Sequence, residues 1–319
     1  MNRVTNTTYI TLDGYVEIRQ YKWLYFIVLL TAYVLIICSN LSIVCIIVLY
    51  KELNKPMYII IAALLVNSVF FSTNIYPKLL IDFLSEKQVI SYPFCLMQLY
   101  MFYSLSFSEL LLLAIMAFDR YVAICKPLRY PTIMRQATVR TLLVLAWLVP
   151  ACHFAVQTAV SVNLKLCRLT VKAVFCNNGF TALYCAFPKI ISIYGVMTIT
   201  NIGICPLIFV LFSYTKILIV SCKSCGKVKK KAAQTCLPHL LVLFNFSLLI
   251  VYHGVVVRVA SDLPNTFNFI MTIQIITCHP LFNPFIYGLK INAINKYVKI
   301  YTIPRLGKRF ISPLIPDKI

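Results

Sequence analysis

Long apolar stretches, separated by short polar and basic segments, restrict most strongly what this chain can fold into. They occupy residues 23–50, 58–83, 95–121, 139–160, 190–221 and 267–289, and a further one ends near residue 258. Each can cross a bilayer as a helix, because the hydrocarbon core needs about 20 apolar residues. Lipid offers no partners to backbone polar groups, so helices are the expected form of these stretches. The pattern predicts an all-α membrane protein, a bundle of seven transmembrane helices.

The charge distribution indicates how the bundle is oriented. A formal net charge of +21 would suit a nucleic-acid partner, but 61% of the residues are hydrophobic and only 12% are charged. Most lysines and arginines lie in the gaps on one side of the membrane, which the positive-inside rule explains better. We therefore expect a multi-pass plasma-membrane protein surrounded by lipid, with its N-terminus extracellular, its C-terminus cytoplasmic and no nucleic-acid partner.

The segments that flank the helices complete the predicted domain organisation. Residues 1–22 form a polar extracellular tail without the apolar core of a cleavable signal peptide, so the first helix is expected to serve as the targeting signal. This tail carries a glycosylation sequon at Asn6. Residues 23–289 form the seven-helix domain. Residues 290–319 form a cytoplasmic tail in which lysines alternate with apolar side chains, and this predicts a short amphipathic helix on the membrane surface.

Residues 116–130, MAFDRYVAICKPLRY, carry the most specific local pattern. The Asp119–Arg120 pair ends the third apolar stretch, where bilayer gives way to water and a paired charge is tolerated. A basic residue that merely reaches the interface is the plain alternative, but all fifteen residues follow one pattern. With residues 231–240 (KAAQTCLPHL) and 280–287 (PLFNPFIY), they resemble the olfactory receptors, a branch of the rhodopsin-like G-protein-coupled receptors. The resemblance covers all seven helices, and residues 75–80 (IYPKLL) resemble fish receptors more than mammalian ones.

The resemblance implies an odorant receptor that activates a heterotrimeric G protein of the olfactory stimulatory type and raises cyclic AMP. In the resting state Asp119 neutralises Arg120, and an agonist moves the sixth helix outward to release that arginine. The proline at position 284 removes one backbone hydrogen bond and provides a hinge. The switch residues that match the family motifs are Asp119, Arg120, Tyr121, Tyr214, Asn283, Pro284 and Tyr287.

A ligand pocket is predicted among the outer halves of helices three to seven, and helical spacing singles out candidate residues on the third, fifth and sixth. An apolar pocket with a few hydroxyl groups suits a small, weakly polar molecule. Ordinary packing between helices is the alternative for each member. The candidate ligand-binding residues are Phe102, Tyr103, Ser106, Phe107, Thr198, Ile202 and Val251.

Four of the 13 cysteines, Cys95, Cys167, Cys176 and Cys185, lie on the predicted extracellular side. This compartment is oxidising, so disulfides are expected, but four cysteines allow three pairings. The resemblance implies Cys95–Cys176, which ties the third helix to the long following loop, and Cys167–Cys185 within that loop. Both bridges would fix a lid over the pocket.

Glu109 is the one acidic residue near the middle of an apolar stretch, which makes it a functional candidate, with a hydrogen-bonded packing residue as the alternative. Most relatives carry an aspartate midway along the second helix, where this chain has Asn67 and Ser68. Glu109 is therefore a candidate sodium ligand in a pocket that lacks its usual second carboxylate. We expect weak or absent sodium dependence.

Other classes of function fit less well. Cys222 and Cys225 lack a second pair of zinc ligands and suit palmitoylation better. The chain has no Walker loop, HExxH motif or Ser–His–Asp arrangement, so we expect no enzyme, no cofactor and no metal beyond a sodium ion at Glu109. An amine receptor would need a carboxylate where Phe102 lies, and an opsin a lysine within residues 267–289. A transporter would favour several intramembrane charges.

Overall fold

The computed structural model describes residues 8–16, 18–186, 188–222, 240, 242 and 265–290. Within them, six helices are long and apolar enough to cross a membrane, and this confirms the all-α, multi-pass prediction. They are Gln20–Leu49, Pro56–Leu84, Tyr92–Cys125, Gln136–Val162, Lys189–Val220 and Thr266–Gly288. The predicted sixth helix, which ends near residue 258, and the predicted amphipathic helix after residue 290 lie outside the described residues.

The described elements alternate long helices with three short strands. In chain order they are β1 (Tyr9–Leu12), α1 (Ile18–Leu49), α2 (Pro56–Leu84), β2 (Val89–Ser91), α3 (Tyr92–Cys125), α4 (Tyr130–Ile133), α5 (Gln136–Val162), β3 (Thr170–Val171), α6 (Lys189–Ile199), α7 (Cys205–Cys222) and α8 (Asn265–Lys290). A π-helical segment, Thr200–Ile204, joins α6 to α7, so these three pieces form one span. Such π segments often occur at functional sites.

Prolines lie at helix starts and also inside three of the described helices, α2, α5 and α8. Pro56 occupies the first position of α2, where its fixed φ and missing N–H fit the helix without loss. Inside α8, Pro284 cannot donate to the carbonyl of Pro280 four residues earlier. The side chain of Asn40 in α1 supplies the missing donor, with its Nδ2 3.1 Å from that carbonyl oxygen. Asn40 therefore joins α1 to α8 where the α8 backbone is incomplete.

Helix α3 lies at the centre of the described bundle and packs against α2, α5 and α7, while α8 packs against α1 and α2. Two buried apolar clusters fill the bundle. One surrounds the Asp119 half of α3 and includes Leu113 and Met116. The other surrounds the opposite half and includes Phe71 and Phe102. We call the Asp119–Arg120 end of the bundle the switch end and the opposite end the lid end.

A small sheet covers the lid end. Strand β1 lies in its middle, antiparallel to β2 and parallel to β3, with Ile10 opposite Ile90 and Leu12 opposite Val171. Ile10 and Leu12 point into a third buried cluster, formed by the sheet and the loop after α5. The alternation of exposed and buried residues along β1 is typical of a strand with one face on a core. Part of the predicted polar tail is thus built into the lid.

Candidate functional site

The switch end is organised around the buried carboxylate of Asp119. Arg120 Nε donates to Asp119 Oδ2 at 2.9 Å, and Arg120 Nη2 also contacts that oxygen. Tyr130 Oη donates to the other oxygen, Oδ1, at 2.7 Å. Asp119 is fully buried, so both of its oxygens need the donors they have here. Two donors on one carboxylate hold the end of α3 to α4.

Tyr130 is suited to remain a donor. Burial, followed by the hydrogen bond to Asp119 and the negative charge of that residue, raises the pKa of Tyr130. The phenol therefore keeps its proton at neutral pH. Tyr130 and Arg120 together form a latch on Asp119, and only Arg120 matches the predicted switch residues.

Three further predicted switch residues lie in the same half of the bundle as this latch. Tyr214 of α7 and Tyr287 of α8 are both buried in the apolar cluster around Leu113 and Met116, and Tyr121 packs against the same cluster. Three helices therefore bring an aromatic hydroxyl to one half of the bundle. The structure brings the predicted set together at the switch end, apart from Asn283 and Pro284, which lie farther along α8.

Asn283 belongs to a buried polar centre around Glu109. Its Nδ2 donates to Glu109 Oε1 at 2.8 Å and to Ser68 Oγ at 2.9 Å. The other carboxylate oxygen, Oε2, lies 3.4 Å from Asn67 Nδ2 and 3.1 Å from His279 Nε2. Glu109 is 1% exposed, and its partners come from α2 and α8. The sequence pointed to Glu109, Asn67 and Ser68 but missed His279 as a partner.

The predicted ligand residues on α3 lie in an aromatic region. Phe102 contacts the rings of Phe71 and Phe175, with ring centroids 5.4 and 4.9 Å away. Tyr103 stacks on Phe154 at 5.5 Å, and Phe107 lies 5.2 Å from that same ring. Phe154 of α5 and Phe175 of the loop after it are not among the candidate residues, which were singled out only on the third, fifth and sixth transmembrane helices.

Two of the three predicted pocket hydroxyls, those of Ser106 and Thr198, donate within their own helices. Ser106 Oγ donates to the carbonyl of Phe102 at 2.7 Å, and Thr198 Oγ1 donates to the carbonyl of Tyr194 at 2.9 Å. Bonds of this kind, to the carbonyl four residues earlier, are the usual state of Ser and Thr in helices. Only the oxygen lone pairs of these residues are left for a ligand.

The π-helical segment brings the fifth span close to α3. Ile202 is buried there, and a Cβ added to its neighbour Gly203 would lie 3.0 Å from Phe107 Cε1. A larger residue at 203 would have to displace that ring. The remaining predicted pocket residue, Val251, lies outside the described residues, as does the sequon at Asn6.

The structure contains both disulfides that the resemblance implies. Cys95 at the start of α3 is joined to Cys176, and Cys167 is joined to Cys185. The backbone N–H of Cys176 also donates to Gln98 Oε1 at 3.0 Å. The loop after α5 is thus held to α3 by a covalent bond and a buried hydrogen bond next to it.

Tyr15, between β1 and α1, fastens the lid at a second point. Its Oη lies 3.0 Å from both Asp82 Oδ2 of α2 and the carbonyl oxygen of Val174, and Lys78 also contacts Asp82. Burial and the nearby charge of Asp82 raise the pKa of Tyr15. The protonated phenol therefore connects the N-terminal segment, α2 and the loop after α5.

Comparison with known proteins decides the family. The olfactory receptor family model matches residues 29–303. This chain belongs to the olfactory receptor family. It is 32% identical to human olfactory receptor 11A1 over 297 residues, which are 92% of this chain and 93% of the relative. It is 30% identical to mouse olfactory receptor 4M1 over 96% of both chains. It is 34% identical to chicken olfactory receptor-like protein COR6 over 93% of this chain and 94% of that relative.

Membership confirms the predicted family and the olfactory, multi-pass character of the chain. The finer resemblance to fish olfactory receptors stays a prediction. The described residues contain no group of three or more His, Cys, Asp and Glu side chains that could hold a metal ion. The roles predicted for the switch and pocket residues stay predictions.

Proposed function

We propose that this chain is an odorant receptor that binds a small, weakly polar molecule in the lid half of the bundle and activates a heterotrimeric G protein. Membership of the olfactory receptor family supports odorant sensing as the general function. The latch of Arg120 and Tyr130 on Asp119 carries the G-protein part of the proposal. The latch holds the buried charge of Asp119 in place until a partner protein can take the place of the latch.

The surface beside the latch suits a protein partner. Leu128 is 96% exposed on the short connection between α3 and α4, and it is flanked by the exposed bases Lys126 and Arg129. An apolar side chain that stands clear of its own protein offers a contact that a partner can bury. The neighbouring positive charges would attract an acidic partner surface.

The rest of the predicted arrangement belongs to the same proposal. The tail of residues 1–22 is extracellular, residues 23–289 form a seven-helix receptor domain in the plasma membrane, and residues 290–319 form the cytoplasmic tail. The G protein is of the stimulatory olfactory type, so the response is a rise in cyclic AMP. Epitopes placed at Met1 and Ile319 test the orientation, since only the first should stain on intact cells.

Substitution of Arg120 tests the coupling. Arg120→Ala should remove the cyclic-AMP response to an odorant while surface expression stays close to wild type. Arg140→Ala is the matched control, because Arg140 is an exposed arginine near the same end, on α5. A full response from well-expressed Arg120→Ala receptor would refute the coupling role. An odorant panel screened on the wild-type receptor supplies the agonist.

A further inference from the structure

Glu109 presents an electrostatic problem that the receptor has to solve. Its side chain projects from α3 into the interior of the bundle, where it is buried, and its carboxylate faces α2 and α8. An acidic group at this depth is costly unless something balances it. The cost is removed by a proton on the carboxyl, by a bound cation such as the sodium ion suggested by the family resemblance, or by a basic side chain of the protein that shares its proton with the carboxyl.

The amide of Asn67 does not fit a sodium ion. Sodium, a hard cation, requires oxygen atoms directed toward it. Trp147 Nε1 lies 3.1 Å from Asn67 Oδ1, and an indole N–H can only donate, so that oxygen is turned toward Trp147. The Asn67 NH₂ group therefore faces the carbonyl of Leu105 and the carboxylate of Glu109. A hydrogen-bond donor stands where a sodium site needs an acceptor.

The other members of the centre lead to the same result. Asn283 directs its NH₂ group at both Glu109 and Ser68. Ser68 Oγ in turn donates to the carbonyl of Leu64 at 3.2 Å and accepts from Asn283. The NH₂ groups of Asn67 and Asn283 thus face the carboxylate of Glu109, while Asn67 Oδ1 and Ser68 Oγ already accept from Trp147 and Asn283, so these oxygens are not directed at a sodium ion.

His279 supplies the alternative. Its Nε2 lies 3.1 Å from Glu109 Oε2, and its side chain is 4% exposed. It precedes Asn283 by four residues on α8, so both side chains lie on the same helix face. Helix α8 therefore places one nitrogen near each oxygen of Glu109: Asn283 Nδ2 donates to Oε1, and His279 Nε2 lies at ion-pair distance from Oε2.

We propose that His279 is the built-in partner of Glu109 and that this pair replaces the sodium ion at the centre of the receptor. One proton between Nε2 and Oε2 leaves the pair without net charge, whichever of the two atoms holds it. A sodium ion entering the centre would have to displace either that proton or the imidazole. The pair therefore joins α3 to α8 without a cation, and the receptor's stability and resting state are independent of sodium.

The test uses the full-length receptor in detergent and needs no agonist, so its outcome is independent of the proposed odorant function. The half-life of the folded receptor at one elevated temperature is compared between sodium and potassium chloride of equal concentration. For the wild type we expect a difference of less than about twofold, whereas coupled sites typically give about fivefold or more.

Variants of the pair make the test specific. His279→Gln leaves the carboxylate uncompensated, so its half-life in potassium should fall by at least about tenfold and should recover partly in sodium. The double variant Glu109→Gln/His279→Gln removes both partners. Its half-life should therefore return to within about threefold of the wild-type value and should be the same in sodium and in potassium. His153→Gln is the control, because His153 is hydrogen-bonded to Tyr194 rather than to a carboxylate.

Two outcomes would overturn the proposal. In the first, sodium lengthens the half-life of the wild type by about fivefold or more, and the half-life of Glu109→Gln no longer depends on sodium. This result would show a sodium site. The second is a double variant whose loss equals the sum of the two single losses, since this would show that the residues are not coupled. If His279→Gln alone fails to fold, the wild-type comparison and the double variant still decide the question.

Discussion

The two ends of the receptor are held by different kinds of interaction. At the lid end, two disulfides, a three-stranded sheet and a buried apolar cluster fix the loop after α5. At the switch end, Asp119 is held by one adjacent arginine and one tyrosine hydroxyl. A disulfide contributes about 2–4 kcal/mol, and a hydrogen bond to a charged group about 1.5–3 kcal/mol.

The difference identifies the end that can move. A transition between two states takes place in regions whose opening costs little free energy. The reason is that a ligand can favour one state over the other by only a few kcal/mol of binding free energy. Opening the lid would require breaking covalent bonds and exposing apolar residues. Opening the switch end breaks no covalent bond: two donors on Asp119 are exchanged, and helices shift over the apolar cluster around Leu113 and Met116. Under the proposed function, we therefore expect the lid to act as a fixed frame over the predicted ligand region and the response to take place at the switch end.

The largest expected effect follows from removing the covalent bond of the lid. Cys95→Ser or Cys176→Ser should destabilise the receptor by about 2–5 kcal/mol and leave a reactive thiol in an oxidising compartment. Either variant should lose most of its surface staining on intact cells. The double variant should be no worse than either single one, because both remove the same bond.

Cys38→Ser is the matched control, since Cys38 is a free and exposed cysteine of α1. It should reach the surface at the wild-type level. Normal surface staining and odorant response in Cys95→Ser would contradict the view that the lid is a fixed frame.

The next effect concerns the contact between the N-terminal segment and the loop. A Cβ at Gly14 would lie 2.3 Å from the backbone carbonyl carbon of Ala173, so Gly14→Ala must push β1 away from the loop. We expect a loss of about 1–3 kcal/mol, measured as a lower thermal midpoint. At Gly195 the nearest atom to an added Cβ is Gln157 Nε2 at 3.6 Å, so Gly195→Ala should be tolerated. Equal midpoints for the two variants would show that β1 is not held in the lid.

Sequence alone was sufficient for the helices and for the position of Asp119 and Arg120. Long apolar stretches require helices in lipid whatever their neighbours are, so each described span falls on a predicted stretch. The helices run a few residues farther than the stretches, as α3 does to Cys125, because a helix continues through the polar interface where hydropathy has already fallen.

The contacts between distant segments could not be predicted in the same way. Strand β1 has only four residues, and its pairing depends on β2 and β3 more than 75 positions later. His279 lies beside Glu109 because α3 and α8 approach each other at these two residues, and no local sequence pattern in either helix predicts that approach. Phe154 and Phe175 entered the ligand region for the same reason.

A smaller effect is expected when the latch loses one of its two donors. Tyr130→Phe removes the hydroxyl that donates to Asp119 Oδ1 and keeps the ring. The resting state should lose about 1.5–2 kcal/mol, the lower part of the range for a bond to a charged group, because Arg120 still donates to Asp119; this raises the basal cyclic-AMP level severalfold while surface expression is retained. Thr132→Val is the control, because the Thr132 hydroxyl donates to the backbone of Arg129. Unchanged basal activity in Tyr130→Phe would show that Arg120 alone holds the latch.

The smallest effect is expected from the pocket hydroxyls, and it separates recognition by aromatic contact from recognition by hydrogen bonding. Ser106 donates its proton to the carbonyl of Phe102, so Ser106→Ala removes a bond within one helix turn. We expect the odorant concentration for half-maximal response to change by less than about threefold, which corresponds to a change in binding free energy of less than about 1 kcal/mol.

Phe154→Leu is the contrasting variant, because it removes the ring that contacts both Tyr103 and Phe107. Aromatic pairs contribute about 0.5–1.5 kcal/mol beyond the area they bury, and this variant loses two of them. Its half-maximal concentration should therefore rise by about tenfold or more. The opposite order, with Ser106→Ala the more damaging change, would mean that the ligand accepts or donates a hydrogen bond at Ser106 and that the aromatic region only packs the helices together.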